Sequence, residues 1–165
     1  ARRDSLLFYK RFVIDAVASK KYKTALLYID SSLIVAKGGE VDTLIQLRAD
    51  SYYKIKNYAS AIKDYTTLIA NNKRLSYSYY NRALCFKKQK EYQLAVDDLR
   101  IAIKKGNVDA EKLHDKINPI KKRISYYTTL CCDGSTSSAK GRGACSHHGG
   151  VCDWNHAVYE KYREY

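Results

Sequence analysis

The residues best suited to chemistry lie in one short stretch near the C-terminus. Residues 131–152 contain four of the chain's five cysteines, five of its eight glycines and the adjacent histidines His147 and His148. Thiols and imidazoles at this density can form disulfides, bind a metal ion, or act together as a nucleophile and its base. The three alternatives would make the chain a crosslinked scaffold, a metalloprotein or an enzyme.

Disulfides are the first interpretation of this stretch. A segment this short cannot bury a hydrophobic core of its own, and crosslinks would compensate for that. The four cysteines Cys131, Cys132, Cys145 and Cys152 allow three pairings. The neighbours Cys131 and Cys132 are not expected to bond to each other. Disulfides would place the protein in an oxidising compartment, the periplasm or the extracellular space.

A zinc site is the second interpretation. Zinc requires about four cysteine or histidine ligands in a tetrahedral arrangement, and Cys131 or Cys132 together with Cys145, His148 and Cys152 could supply them. The tight Cys-x-x-Cys pairs of most structural zinc sites are absent from the sequence. We therefore predict no cofactor and keep zinc as the alternative.

A hydrolase that depends on a cysteine and a histidine is the third interpretation. Cys145 would be the nucleophile, with His147 or His148 as its base. Neighbouring residues on a turn rarely point at one another, and only Asp133 or Asp153 could orient the histidine. Because no complete set of nucleophile, base and orienting group can be read, the sequence favours binding over catalysis.

The charge of the chain is strongly positive and unevenly distributed. The net charge is +13, and all of it arises before Cys131, because the basic and acidic residues beyond that point balance. Such a surface can attract nucleic acid through the basic repeat array described below, which we keep as a further functional hypothesis after binding and catalysis. A solvated helical surface is the simpler interpretation. No apolar run is long enough to predict a membrane span.

The first part of the chain repeats itself. The segment Tyr58–Tyr65 (YASAIKDY) recurs as Tyr92–Leu99 (YQLAVDDL), and a third copy lies at Tyr22–Ile29 (YKTALLYI). The alanines Ala61 and Ala95 are 34 residues apart. A period of this length is typical of stacked pairs of helices.

The small and large residues agree with this period. Ala49 and Ala83 precede Tyr52 and Phe86 by three residues, as expected where the first helix of a pair packs closely on the second. The pattern resembles the tetratricopeptide family over about residues 6–107. We therefore expect a mainly α fold, a three-repeat α-α solenoid, with a small Cys/Gly-rich loop or β module near the C-terminus.

The resemblance implies a scaffold that binds a protein or peptide in a concave groove lined by the first helix of each pair. The implied groove residues are Lys10, Ile14, Val17, Gln46, Asp50, Tyr53, Tyr77, Tyr80, Leu84 and Lys87. Co-chaperones of this family bind a C-terminal carboxylate with a lysine and an asparagine one helical turn apart. Here Ile14 stands one turn after Lys10, so that ligand is not expected.

Two domains are predicted, residues 1–130 and residues 131–165. The first combines the repeats with capping helices, the last of which begins near Pro119, since proline is tolerated in a first helical turn. The second is a module rich in cysteine, histidine and glycine, and it is predicted to end in a helix at residues 154–165 capped by Asp153.

The cysteine-rich block resembles a small bacterial domain of unknown function. The signature of that domain reads Cys-x-Asp-Gly-Thr, then Ser-x-Ser, then Arg-Gly-x-Cys-Ser-x-His-Gly-Gly-Val. The matching positions are Cys131, Asp133, Gly134, Ser135 in place of the threonine, Ser138, and residues 142–151. Since Cys131 and Cys145 both belong to the signature, the resemblance favours their pairing, which leaves Cys132 to pair with Cys152.

Overall fold

The computed structural model describes residues 2–165, with side chains from Leu7 onward, as a series of helices followed by a small sheet. The helices are α1 (Arg2–Ala18), α2 (Tyr22–Val35), α3 (Gly39–Lys54), α4 (Tyr58–Ala70), α5 (Leu75–Gln89), α6 (Tyr92–Lys104) and α7 (Val108–Ile117). The strands are β1 (Lys121–Cys131), β2 (Thr136–Ser137) and β3 (Val151–Tyr162). No helix in the described part has the length and apolar character needed to cross a membrane.

The helices α1–α2, α3–α4 and α5–α6 form the three expected repeats. The equivalent alanines Ala25, Ala61 and Ala95 are each 0% exposed, and so are Ala49 and Ala83 on the facing helices. Small side chains at these positions let the two helices of a pair approach closely. The predicted fold class is therefore confirmed.

Each repeat shares its core with the helix that follows it. The first hydrophobic cluster includes Leu44 of α3, the second includes Cys85 of α5, and the third includes Ala110 of α7. Stability in such an array comes from contacts between neighbouring repeats. Helix α7 therefore covers the apolar end of the third repeat.

An ion pair recurs inside the second and third repeats. The guanidinium of Arg48 donates two hydrogen bonds of 2.8 Å to the carboxylate of Asp64, and Arg82 donates two of 2.8 Å to Asp98. The two aspartate side chains are only 5% and 7% exposed. These hydrogen bonds raise the pKa of both guanidinium groups above its usual value. Each pair ties the first helix of a repeat to the second.

A lysine with left-handed backbone lies at the turn between the two helices of each repeat. The φ angles of Lys20, Lys56 and Lys90 are 57°, 64° and 65°. Glycine usually occupies this position after a helix, because a Cβ atom makes the conformation unfavourable. The chain thus accepts the same strained residue three times.

The last part of the chain is a sheet, and this corrects two predictions. Residues 121–131 and 151–162 are strands, whereas helices were predicted after Pro119 and over residues 154–165. The segment from Ile124 to Thr129 is rich in β-branched and aromatic residues, which pack well on a pleated surface. Strand pairing therefore outweighed the helix-start signals that were read at Pro119 and Asp153.

The sheet has the order β2-β1-β3, and all neighbours are antiparallel. Strands β1 and β3 pair from Lys121↔Tyr162 to Cys131↔Val151. The register shifts at three places, between Ile124 and Tyr126, between Thr128 and Leu130, and between Leu130 and Cys131. The chain separates into two compact units, a helical unit through Ile117 and a C-terminal unit of residues 118–164. Strand β1 thus lies in the same compact unit as the cysteine-rich segment.

Candidate functional site

Two cavities open along the first helices of the repeats. The larger, about 380 Å³, is lined by residues of α1, α3 and α5 together with Tyr22 and Tyr65. The smaller, about 240 Å³, lies between α1 and α3. Leu47 lines both cavities, so they are neighbours along one groove.

Seven of the ten implied groove residues line these cavities. Val17, Asp50, Tyr53, Tyr77 and Leu84 line the larger one, and Lys10 and Ile14 line the smaller one. Gln46, Tyr80 and Lys87 line neither.

The three remaining residues are also on the first helices. Tyr80 packs against the third core cluster, and burial raises the pKa of its hydroxyl. The Oε1 atom of Gln46 is buried and has no hydrogen-bond partner among the described residues. Lys87 is half-buried on α5. These side chains therefore contribute to packing around the groove more than to its two cavities.

Asp50 is the polar centre of the larger cavity. Its carboxylate accepts a hydrogen bond of 2.6 Å from the hydroxyl of Tyr65, and the hydroxyl of Tyr77 lies 2.8 Å from both carboxylate oxygens. Burial, reinforced by the negative charge of Asp50, raises the pKa of both tyrosines well above the usual value. Sequence reasoning treated Asp50 and Tyr77 as separate ligand contacts, whereas the structure joins them in one network.

The smaller cavity is apolar with an ion pair at its margin. Val13, Leu44 and Leu47 line it, and Ile14 is 65% exposed there. Lys10 Nζ lies 2.5 Å from Glu40 Oε1. The charge of Lys10 is therefore matched within the chain, and Glu40 is a groove residue that the sequence analysis missed.

The four cysteines of the C-terminal unit lie in two pairs at disulfide distance. The sulfurs of Cys131 and Cys145 are 1.87 Å apart, and those of Cys132 and Cys152 are 2.22 Å apart. These are the pairs that the resemblance favours. Each pair connects the end of β1 to a different segment, one to the loop that follows β2 and the other to the start of β3.

The arrangement does not bring the alternative zinc ligands together. Within the described residues, no three Cys, His, Asp or Glu side chains are grouped as a metal site would require. Cys145 is 5% exposed and paired with Cys131, so its sulfur is not placed as a nucleophile beside His147 or His148.

A hydrogen-bonded aspartate and histidine lie beside the cysteine pairs. His148 Nδ1 is 2.7 Å from Asp133 Oδ2, and Asp133 N–H donates to the carbonyl of His148 at 3.3 Å. Asp133 Oδ1 also accepts from the Ser135 hydroxyl at 2.6 Å and from the Ser135 N–H at 2.9 Å. The bonds from Ser135, followed by the contact with His148, lower the pKa of Asp133 to about 2.

This pair fixes the loop more than it assembles a catalytic site. The ionised carboxylate of Asp133 can only accept a hydrogen bond, so Nδ1 of His148 must carry a proton and donate it. This fixes the tautomer of the neutral His148 ring. Within the described residues no serine, threonine or cysteine side chain is hydrogen-bonded to His148. The sequence had named Asp133 as a possible orienting group, and the structure shows which histidine it contacts.

Comparison with known families finds a similarity within the C-terminal unit. Residues 124–155 match a family described as "Domain of unknown function (DUF3761)". The match covers most of the sheet and the whole cysteine-rich segment, but only a minority of the chain. No curated protein matches the chain.

Comparison with solved structures concerns the helical unit. The Arabidopsis OM64 TPR domain matches with a TM-score of 0.61 and 18% identity, covering 71% of this chain and 97% of that domain. The N-terminal domain of stress-induced protein-1 (STI-1) from C. elegans matches with a TM-score of 0.58 and 15% identity, with the same coverage of 71% and 97%. At this identity the likeness concerns the fold. The helical unit therefore has the fold of a tetratricopeptide repeat domain.

Proposed function

We propose that the helical unit is a scaffold that binds a peptide segment of a partner protein in the groove along α1, α3 and α5. The observation that carries the proposal is the position of Leu47, which lines both cavities and so joins them into one elongated groove. An elongated groove with separate cavities suits a chain of side chains better than a single small molecule.

The smaller cavity selects an apolar side chain of the peptide. Its lining of Val13, Ile14, Leu44 and Leu47 is aliphatic. Burial of an aliphatic ligand side chain there is favourable by about 25 cal/mol for each Å² removed from water. A charged side chain would lose its hydration, since Lys10 and Glu40 already neutralise each other.

The larger cavity selects a polar or acidic group. The carboxylate of Asp50 already accepts the hydroxyls of Tyr65 and Tyr77, so it has little capacity left for a ligand donor. The side-chain Nδ2 of Asn81, which also lines the cavity, donates a hydrogen bond of 2.9 Å to the backbone carbonyl of Tyr77. The exposed Lys54 supplies a positive charge at the cavity. We expect a peptide with an apolar residue followed by a hydrogen-bonding or acidic one.

Selection of peptides from a displayed random library on the full chain tests this function. Two substitutions alter the groove at exposed residues, Ile14→Arg in the smaller cavity and Lys54→Glu in the larger one. Two matched controls make the same changes elsewhere, Ile34→Arg on α2, where Ile34 is 79% exposed, and Lys63→Glu on α4. Binding of each selected peptide is then measured by titration calorimetry.

The expected result separates the groove from the rest of the surface. Ile14→Arg and Lys54→Glu should each weaken a selected peptide about tenfold or more, whereas the controls should leave the affinity within about twofold. If all four variants bind alike, or if the controls are the damaging ones, the peptide lies outside the groove and the proposed function is wrong.

The same proposal includes a C-terminal unit that is stabilised by two disulfides. The two cysteine pairs enclose sequence separations of 14 and 20 residues. In the loop-entropy description, closing loops of this length stabilises a folded unit by about 3 kcal/mol each. A unit of this size with little apolar core needs such support. Formation of both bonds would place the protein in the periplasm or outside the cell.

Intact mass with and without reductant tests the crosslinks. Two disulfides lower the mass by four hydrogen atoms relative to the reduced chain, and a zinc ion would add a mass that a chelator removes. An alkylating reagent should leave the folded protein unlabelled, because the remaining thiol, Cys85, is buried and burial raises its pKa to about 12. Labelling of all five cysteines without unfolding would contradict the assignment.

A further inference from the structure

One face of the sheet carries basic charge that no carboxylate among the described residues neutralises. Lys122 and Lys161 are direct partners in the register of β1 and β3. Like charges directly opposite each other destabilise a pair of strands. Within the described residues neither ammonium group has a carboxylate at ion-pair distance.

The same face presents exposed apolar and aromatic side chains. Alternate residues of β3 share a face, so Tyr159 lies on the face of Lys161, and its register partner Ile124 lies there too. Tyr127, the partner of Ala157, adds a second ring. Tyr127, Tyr159 and Ile124 are 55%, 61% and 43% exposed. We call the surface formed by Lys122, Ile124, Tyr127, Tyr159 and Lys161 the tyrosine face.

The opposite face of the sheet differs in its electrostatics. Lys121 forms an ion pair with Glu164, and Arg123 Nε lies 2.5 Å from Glu160 Oε1 while its guanidinium lies 5.0 Å from the ring centre of Tyr162. Basic side chains on that face are thus partnered within the unit. On the two long strands, the lysines without a carboxylate partner among the described residues, Lys122 and Lys161, therefore both lie on the tyrosine face.

We propose that the tyrosine face binds single-stranded nucleic acid, with Lys122 and Lys161 contacting phosphates and Tyr127 and Tyr159 stacking on bases. Aromatic rings on an open surface stack on bases of any sequence, and adjacent ammonium groups follow the phosphate backbone. The face extends about 13 Å along β3. Lys122, Tyr159 and Lys161 lie outside the residues that match the family of unknown function, whereas Ile124 and Tyr127 lie inside them.

The combination of groups favours a single strand over other anions. A duplex keeps its bases stacked inside, so the two rings would have nothing to contact. An acidic peptide would satisfy the lysines and leave the tyrosines and Ile124 exposed. A lipid surface is bound best by apolar side chains that project beyond the charged ones, whereas a sheet holds both at the same level.

Fluorescence anisotropy of the full chain with a labelled oligothymidylate of about 12 nucleotides tests the proposal at about 0.15 M salt. Because the whole chain carries a charge of +13, substitutions must separate this surface from unspecific attraction. Tyr127→Ala and Tyr159→Ala should each weaken binding at least about fivefold. The matched control is Tyr126→Ala, since Tyr126 is 58% exposed and neighbours Tyr127 on the other face.

The lysines are tested through salt dependence. In Lys122→Gln/Lys161→Gln the slope of log affinity against log salt should fall by about 1.4, the value for two lost phosphate contacts to a single strand. The control pair Lys63→Gln/Lys88→Gln, on helices α4 and α5, should leave that slope unchanged. Tyr127→Trp should retain binding, which distinguishes loss of a stacking ring from loss of the fold.

Three results would overturn the proposal. The first is equal affinity of the Tyr126, Tyr127 and Tyr159 alanine variants. The second is equal or tighter binding of a duplex of the same length. The third is tighter binding of poly-glutamate or of anionic phospholipid vesicles than of oligothymidylate, with the same loss in Tyr127→Ala. The groove experiment is independent of all three, since it uses substitutions in the helical unit.

Discussion

Phe12 stacks on Tyr28 in the first repeat, with ring centres 5.1 Å apart and planes inclined by 26°. Counted along the repeats, these two residues occupy the positions that Arg48 and Asp64 hold in the second repeat. The third repeat again has the ion pair. One position between the two helices of a repeat is therefore filled either by two aromatic rings or by a buried ion pair, with the same surrounding fold.

Breaking one of these ion pairs should destabilise the helical unit. Asp98→Asn removes the carboxylate that Arg82 contacts, and the side chain of Arg82 is 18% exposed. Leaving a mostly buried guanidinium unpaired costs about 2–4 kcal/mol. Asp97→Asn is the matched control, because Asp97 is a surface residue whose pair with Arg100 contributes less than about 1 kcal/mol. Urea unfolding followed by circular dichroism measures both, and equal losses would contradict the assignment.

The left-handed lysines predict a stabilising substitution. Lys56→Gly removes the Cβ atom at a residue with φ of 64° and should stabilise the protein by about 0.5–1 kcal/mol. Lys63→Gly, at an exposed residue in the middle of α4, should destabilise it by about 1 kcal/mol. Thermal unfolding of both variants distinguishes them. A loss in Lys56→Gly would mean that the lysine side chain, rather than the backbone, matters at this turn.

The tyrosines around Asp50 predict how stability depends on alkaline pH. Their pKa values are raised in the folded state, so below about pH 10 their contribution is complete. Above that pH the unfolded tyrosines ionise first, and the free energy of unfolding falls as pH rises. Tyr65→Phe should cost about 1.5–3 kcal/mol at neutral pH and make the alkaline loss shallower.

Urea unfolding at a series of pH values measures this effect. The matched control is Tyr92→Phe on α6, where no hydroxyl hydrogen bond is found in the described structure. That variant should unfold within about 0.5 kcal/mol of the parent chain at neutral pH and keep the same alkaline slope. An unchanged slope in Tyr65→Phe would show that the buried hydroxyl does not carry the alkaline sensitivity.

The carboxylate of Asp133 should titrate far below an ordinary aspartate. Its lowered pKa, about 2, means that the hydrogen bonds it accepts stabilise the folded loop above about pH 4, and this contribution is lost as pH falls towards 2. A carbon-detected NMR titration of the side chain gives the midpoint directly. Ser135→Ala should raise the midpoint more than His148→Ala, because the Ser135 bonds are the largest cause of the shift. A midpoint near 4 in the parent chain would contradict the network.

The helical array could be predicted from the sequence because its information is local and repeated. Ala61 and Ala95, one period apart, mark positions that only a small buried side chain can fill. The sequence predicted which helices line the groove, but it did not predict which groove side chains are hydrogen-bonded to one another. The bonding of Asp50 to Tyr65 and Tyr77 depends on rotamers and on packing between two helices, which a spacing pattern does not specify.

The sheet could not be predicted with the same security. Strand β1 forms because it pairs with β3, which begins 20 residues after β1 ends. The residue pattern within β1 does not indicate which distant segment will be its partner. The aromatic and β-branched residues from Ile124 to Thr129 were the available signal. Pro119 and Asp153 were interpreted as helix starts. Both residue types also occur in turns and at the ends of strands, so neither one distinguishes a helix from a strand.

The cysteine pairs have a consequence for how the molecule responds to its surroundings. Both pairs close within the C-terminal unit, and the thiol of the helical unit, Cys85, lies in the core. Reductant should therefore melt one unit and leave the other intact. Calorimetry should show two unfolding transitions, and reductant should lower the temperature of only the transition of the C-terminal unit. In a reducing environment the helical unit would therefore stay folded after the C-terminal unit has unfolded.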